Sequence, residues 1–239
     1  MKRVLVTGGG SGIGRAIAQA FADQGDQVTI CGRRASALAE TAEGYNITTR
    51  TADVTSEAEI AALFDSPYDV VVANAGAGTP SPVAKMPLAM WQSILDTTLT
   101  SVFLTFRAAL QDMGDGGRLI AIGSTASKQG GNNIAAYSAA KHGVLGLVRS
   151  TAIEVVRKGI TCNAVCPGFV DTPMADAAAE ALAARKSITT DEALAKLNSR
   201  NPIGRLITPQ EVAASVLYLA SPAAASVNGH ALMVSGGEI

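Results

Sequence analysis

Short apolar runs alternate with longer amphipathic stretches along this chain. RVLVT precedes RAIAQAFADQG, QVTICG precedes ASALAETAEG, TTRTAD precedes SEAEIAALFD, and DVVVANAG precedes a long helix-like segment from Met86 to Met113. The second half continues with GRLIAIGS, a half-buried helical run from about Ala136 to Lys158, then GITCNAVCPG and a late HALMVSGG. Near-continuous Val/Ile runs suit strands covered on both faces. Strand and helix in alternation bring the strands parallel, with helices on either side. The pattern therefore predicts an α/β fold built on a doubly wound parallel sheet.

Two places refine that picture. The helix from about Ala136 has basic residues in its last turn and Gly159 just beyond, as a helix terminus favours. Between Thr172 and Thr208 the pattern breaks into a polar, Ala-rich pair, DAAAEALAARK and TDEALAKLNSR. An excursion of that length from a compact sheet reads as a lid or binding loop, so residues 1–239 are expected to form one domain with a helical substrate lid at about 173–207 inserted in it. No internal repeat or low-complexity tail is evident.

Composition narrows the function classes. With 16% charged and 48% hydrophobic residues and a net charge of −1, the chain reads as a compact globular protein. There is no basic surplus to attract nucleic acid or anionic lipid. The sparse charge favours a self-association face. Cys31, Cys162 and Cys166 cannot all pair, and two of them fall in apolar runs that read as strands, which fits free thiols in a reducing cytoplasm. The opening MKRVLVTGGG is expected to be neither a secretory signal nor a span, and no later run is long enough to cross a bilayer.

The candidate chemistry starts with TGGGSGIG, Thr7 to Gly14, which closes the first strand and opens a helix. Glycines there let the backbone turn sharply and approach a pyrophosphate whose charge a helix N-terminus favours; taken alone, a tight structural turn explains it equally well. Its position at the carboxyl end of a first parallel strand, where open α/β sheets bind ligands, favours the binding account and a Rossmann-type sheet. After the second strand come Arg33 and Arg34 with no acid. Guanidinium forks suit a 2′-phosphate, so NADP(H) is favoured over NAD(H), the other account being two solubilising charges on a turn. GRLIAIGS delivers Ser124 to the same sheet edge. YSAAK places Tyr137 and Lys141 four residues apart on one helix face, where a pair of amphipathic surface side chains is the commoner account of the spacing alone.

Together TGGGSGIG, ADV at Ala52 to Val54, NAG at Asn74 to Gly76, Ser124 ahead of Tyr137, YSAAK, and PGFVDTP from Pro167 to Pro173 resemble the short-chain dehydrogenase/reductase family over essentially the whole chain. The resemblance implies an NAD(P)-dependent oxidoreductase with catalytic Ser124, Tyr137 and Lys141. Tyr137 would be the proton donor in reduction, Lys141 the cation that favours phenolate and holds the nicotinamide ribose, and Ser124 the group orienting the substrate oxygen. It also implies a cofactor site of Gly8, Ser11, Gly12, Ile13, Gly14, Arg33, Arg34, Asp53, Val54, Asn74, Ala75, Gly76, Tyr137, Lys141, Pro167, Gly168, Val170 and Thr172, no metal, and a homotetramer with interfaces on Met86 to Met113 and Ala136 to Lys158.

One position departs from the family. Thr98 stands where the family carries an Asn that anchors a relay water, and a hydroxyl lacks an amide's paired donor and acceptor. A working enzyme with an altered relay is expected, a low-turnover dinucleotide-binding sensor being the alternative. His142 and His230 make neither a triad nor a metal cluster, and there is no G-x-S-x-G elbow. PGFVDTPM, the two lid helices and NPIGRLITPQEVA look most like bacterial 3-oxoacyl thioester reductases and aromatic polyketide ketoreductases, which implies reduction of a 3-oxoacyl thioester. Oxidation of a cyclic or simple secondary alcohol with NAD stays open. The lid's Arg185, Lys186, Lys196, Arg200 and Arg205 are either a solvated face or contacts for a carrier phosphate.

Overall fold

A computed structural model describes residues 1–239. Seven strands, β1 (Arg3–Thr7), β2 (Gln27–Gly32), β3 (Ile47–Thr51), β4 (Val70–Ala73), β5 (Arg118–Ile122), β6 (Thr161–Pro167) and β7 (Ala231–Val234), form one sheet. All neighbours are parallel and the order is β3-β2-β1-β4-β5-β6-β7. The chain thus winds outward from β1 in one direction and, after β3, outward from β4 in the other. The crevice at that reversal, between the carboxyl ends of β1 and β4, is where such sheets bind ligands.

The Val/Ile runs behave as parallel-sheet physics requires. Every residue of β4 and of β6 is buried. Alternate side chains feed two cores: Leu5, Val71, Leu119 and Cys162 on one face, and Val4, Val72, Ile120 and Val165 on the other. Each fully buried Val, Leu or Ile contributes roughly 1.5–3 kcal/mol of transfer free energy, so the strands are the least yielding part of the molecule. All three cysteines lie buried in strands, Cys31 in β2 and Cys162 and Cys166 in β6.

Helices cover both faces: α1 (Gly12–Asp23), α2 (Ala35–Ala42), α3 (Glu57–Ala61), α4 (Leu88–Leu95), α5 (Ser101–Asp112), α6 (Ala135–Val155), α7 (Pro173–Lys186), α8 (Thr190–Asn198) and α9 (Pro209–Leu219). Three stretches differ from the sequence expectation in an instructive way. The α3 region is only five residues long, because Arg50 takes the carbonyl of Ala62 and the chain turns inward to bury Leu63. The stretch from Met86 to Met113 is interrupted: a π-helical turn, Asp96–Thr100, joins α4 to α5. The α9 helix, which the hydrophobic pattern alone did not single out, starts on a reciprocal cap in which Thr208 accepts from the Glu211 N–H and Glu211 accepts from the Thr208 N–H. It packs against α1 under the sheet. The long helix α6 finishes in a 3-10 turn, Val156–Lys158, and Gly159 ends it with φ of 65°.

The hairpin α7–α8 stands apart. It has its own small apolar cluster, Ala179, Ala183, Ala193 and Leu197, separate from the two sheet cores. Its feet are fastened firmly. Fully buried Asn201 accepts from the Phe169 N–H and donates to the carbonyls of Phe169 and Arg205, while Val170 and Ile207 form a parallel bridge.

Candidate active site

The crevice is built from strand ends. The β1–α1 turn holds Gly8, Ser11, Gly12, Ile13 and Gly14, with positive φ at Gly8 and Gly12. Gly14 has no room for anything larger: a Cβ there would lie 2.2 Å from the Gly8 carbonyl oxygen and 2.5 Å from Asn74 Nδ2. Asn74, just past β4, donates from Nδ2 to the carbonyls of Thr7 and Gly8, and Thr7 Oγ1 accepts from the N–H groups of Asn74 and Ala75. These bonds fasten the two sides of the crevice together. Ser11 is the N-cap of α1 without using its side chain, and the first turn carries no acid. The helix thus presents unblocked N–H groups to the crevice, a fit for an anionic pyrophosphate. Arg15 braces the turn from behind, donating to the Gly10 carbonyl, Thr41 and Glu40.

Farther along the same edge, Arg33 and Arg34 are exposed at the end of β2, and neither enters an ion pair. Asp53 follows β3. Its carboxyl is held below the usual range by the Thr55 N–H, then the Thr55 hydroxyl, with Arg33 a lesser contributor. Val54 beside it is buried. Two guanidinium groups free of internal partners fit a ligand phosphate at this end of the crevice. On the opposite wall Pro167 ends β6, and Gly168, Val170 and Thr172 lead to α7. A Cβ on Gly12 would come within 3.0 Å of Thr172 Cγ2, so the turn and the foot of the hairpin face each other closely.

Ser124, Tyr137 and Lys141 meet at the carboxyl end of β5. Ser124 leaves β5 in extended conformation and caps a 3-10 turn, Thr125–Ser127: its oxygen accepts from the Ala126 N–H, and its own N–H donates to Ser127 Oγ. The Ser124 hydroxyl proton remains for another acceptor. Helix α6 carries Tyr137 and Lys141 one turn apart, with Lys141 Nζ 5.6 Å from the centre of the Tyr137 ring. Lys141 is buried and donates to the Ile122 carbonyl at 2.6 Å. Burial pulls its ammonium down to about 8, which leaves it mainly the cation at neutral pH. Burial raises Tyr137, against a lowering hydrogen bond to Ser124. A buried ammonium one helical turn from a half-buried phenol is an arrangement able to transfer a proton, and it separates this pair from an ordinary surface pair.

Several contacts here were not legible in the sequence. The Gly78 backbone lies against the Tyr137 ring, since a Cβ there would sit 2.7 Å from Cδ2. Cys166 lies beneath Gly123, where a Cβ would be 2.6 Å from its sulfur. Gln129, in the loop between Ser124 and Tyr137, donates to Glu238 near the end of the chain. The only sequence signal was a second glycine in AGAG; the rest are meetings of segments far apart in the chain. Among the basic residues of the hairpin, Arg205 is occupied by Glu211 at 2.7 Å, and Arg185 and Lys186 lie in the last turn of α7, where cations complement a helix terminus. His142 is exposed and shares a hydrogen bond with the Ser138 carbonyl one turn back, away from the site.

Comparison with known proteins places this arrangement. A family profile described as Enoyl-(Acyl carrier protein) reductase matches residues 8–238. A Streptomyces coelicolor protein to which ketoacyl reduction has been ascribed is 41% identical over 248 residues, covering 98% of this chain and 95% of the relative. The 3-oxoacyl-(acyl-carrier-protein) reductase FabG of Vibrio cholerae is 36% identical over 246 residues, covering 99% and 96%. Among solved structures, a single-residue variant of actinorhodin polyketide ketoreductase with NADPH superposes with a TM-score of 0.94 at 39% identity, covering 99% of this chain and 97% of that one.

Proposed function

The chain belongs to the short-chain dehydrogenase/reductase family, oxidoreductases that interconvert carbonyl and alcohol groups, and from that premise we propose that it reduces the ketone of a 3-oxoacyl or polyketide thioester with NADPH. The observation that carries the reading is the meeting of Ser124, Tyr137 and Lys141 at one end of a crevice whose other end offers two unpaired arginines. Bound NADPH supplies the hydride. The chain's own groups manage the oxygen and the proton. Ser124 turns the hydroxyl proton it shares with Tyr137 toward the substrate carbonyl oxygen, donates it as a hydrogen bond and holds that oxygen in place. Tyr137, kept protonated by burial, gives its proton to that oxygen as the alkoxide develops. Lys141 stabilises the phenolate left behind, and the substrate leaves as the alcohol.

For the cofactor we assign the pyrophosphate to Gly8, Ser11, Gly12, Ile13 and Gly14, the 2′-phosphate to Arg33 and Arg34, the adenine side to Asp53 and Val54, and the nicotinamide side to Asn74, Ala75, Gly76, Pro167, Gly168, Val170 and Thr172. Lys141 would hold the nicotinamide ribose, with Tyr137 beside it. The α7–α8 hairpin, 173–207, serves as the substrate lid; its detachment from the main cores supports that role. A homotetramer is supported by apolar side chains on the outer faces of α5, α6 and the 3-10 turn that follows it: Phe103 is 43% exposed, Ile153 77% and Val156 54%. The test is turnover with NADPH and NADH in parallel against acetoacetyl-CoA, a longer 3-oxoacyl thioester, a cyclic diketone and a simple ketone. Thioester or cyclic-ketone reduction with NADPH preferred is the expected result. Preference for NADH overturns the arginine assignment, and binding of NADPH without turnover on any ketone overturns the enzymatic one.

A further inference from the structure

Ser124 sits on a turn that backbone bonds alone hardly secure. Just before it, the Gly123 N–H is pinned to the Val165 carbonyl at 2.7 Å. Ser124 then opens a 3-10 turn of three residues, Thr125–Ser127, and a turn that short makes too few bonds to hold itself. One backbone bond reaches Ser124, from the Ser127 N–H to its carbonyl at 2.9 Å. Side chains supply the rest. Ser124 Oγ accepts from the Ala126 N–H, and the Ser124 N–H donates to Ser127 Oγ, each at 3.1 Å.

Ser127 is buried, and its hydroxyl shares the space under Gly123 with a second group. A Cβ on Gly123 would lie 3.1 Å from Ser127 Oγ and 2.6 Å from Cys166 Sγ, so the bare α-carbon is what lets the two stand together. Cys166 is itself fully buried in β6. Burial raises its thiol, against the Ser124 N–H and the Ser127 hydroxyl, which both bear on the sulfur and favour the thiolate. A neutral thiol accepts only weakly, so the sulfur cannot replace the Ser127 oxygen as the partner of the Ser124 N–H. Lys141 reaches the same floor, since its Nζ donates to the carbonyl of Ile122, two residues before Ser124. Neither Ser127 nor Cys166 has a part in the proton transfer itself.

We infer that Ser127 is a positioning residue: with Cys166 behind it, its hydroxyl fixes the Ser124 backbone and so directs the Ser124 hydroxyl between Tyr137 and the substrate oxygen. The inference rests on the reading of Ser124 as the group that orients that oxygen. Without the Ser127 oxygen the Ser124 N–H keeps only a sulfur beside it, a costly state for a backbone donor, and the turn shifts toward a better acceptor. The Ser124 side chain moves with the turn. Misplacing a group that orients reacting atoms by about 1 Å can cost about a hundredfold in rate. A turn still tied at Gly123 shifts less, so the chemical step should slow by about tenfold while the dinucleotide crevice stays intact.

A double-mutant cycle separates positioning from plain stability. Full-length Ser127→Ala, Ser124→Ala and the pair are compared for the single-turnover rate with NADPH and acetoacetyl-CoA or a cyclic diketone, with the Kd of NADPH measured by fluorescence on the same preparations. Ser127→Ala should slow the rate about tenfold with Kd changed by less than about twofold. In the Ser124→Ala background the same substitution should change the rate by less than about twofold, because no hydroxyl is left to position. An unchanged rate in Ser127→Ala, or the same loss with and without the Ser124 side chain, would overturn the inference. Should Ser127→Ala not fold, Cys166→Ala takes its place in the cycle: removing the support behind the hydroxyl should slow the rate about threefold, and only where Ser124 is present. A loss in both backgrounds, or in neither, rejects the inference there too. Ser124→Ala alone keeps the two ideas apart. If it retains the full rate, the reading of Ser124 falls; if it is slow while Ser127→Ala is normal, only the positioning role falls.

Discussion

The crevice between β1 and β4 and the α7–α8 hairpin line the same site, yet they are built by opposite means. In the crevice, turns are pinned by buried amides and strand ends: Asn74 grips Thr7 and Gly8, and Gly14 has no space for a methyl group. The hairpin closes on only four buried side chains, three alanines and one leucine, its other apolar contacts being partly exposed, so it buries far less apolar area than the sheet cores. Its feet, at Asn201 and the Val170–Ile207 bridge, are the part fixed to the sheet. The proposed chemistry thus rests on elements whose opening requires disrupting the main cores, while the hairpin, the proposed lid, packs on a small cluster of its own. The difference explains why the dinucleotide crevice is readable here and the substrate is not.

The comparison breaks most severely if the crevice proves tolerant. Gly14→Val puts atoms onto the backbone of Gly8, which cannot move without releasing Asn74. Dinucleotide binding should weaken by about a hundredfold or more, and thermal stability should fall by a few kcal/mol, as overpacking against fixed backbone does. Binding titrations and a melting curve check it. A smaller, directed effect comes next. Arg33→Ala with Arg34→Ala should raise the KM for NADPH by about tenfold to a hundredfold and leave NADH nearly unchanged, because only one cofactor has the extra phosphate. The ratio of kcat/KM for the two cofactors reads this out directly.

The smallest effect sharpens the other side. Leu197→Ala removes the one large side chain buried in the hairpin cluster, a truncation that costs about 2 kcal/mol or more in a sheet core and less where the site can collapse. Hydrogen exchange should accelerate across 173–207 and stay unchanged in β1, β4 and β5, with the global melting temperature nearly constant. Equal acceleration in the strands would mean that hairpin and sheet open together.

How much of this was visible in the sequence follows the same division. Hydrophobic runs exposed the inner strands because parallel strands there bury both faces, alternation with helical stretches placed the edge strands β3 and β7, and the glycine turn, Ser124 and YSAAK stood at readable places relative to strand ends. The interruption at Asp96–Thr100 was invisible, since a π turn is selected by what the displaced residue meets, here Ala77 from another segment. The same holds for Gly78 against Tyr137, Lys141 bonded to the Ile122 carbonyl, and Gln129 bonded to Glu238. The α3 stretch looked longer than it is because helix propensity was countered by Arg50, on the strand β3, capturing the carbonyl of Ala62 at the helix end. Local pattern encodes what an element is, whereas these meetings depend on which elements the sheet order brings together.

The account stands most directly on Tyr137. Single-turnover reduction of acetoacetyl-CoA or a cyclic diketone, with NADPH affinity measured on the same preparation, should show that Tyr137→Phe binds the cofactor like the unaltered chain while its hydride-transfer rate falls by about a thousandfold, the scale of losing a positioned general acid. Retention of the rate in Tyr137→Phe would contradict the account, because the proton would then come from a group other than the phenol beside Lys141.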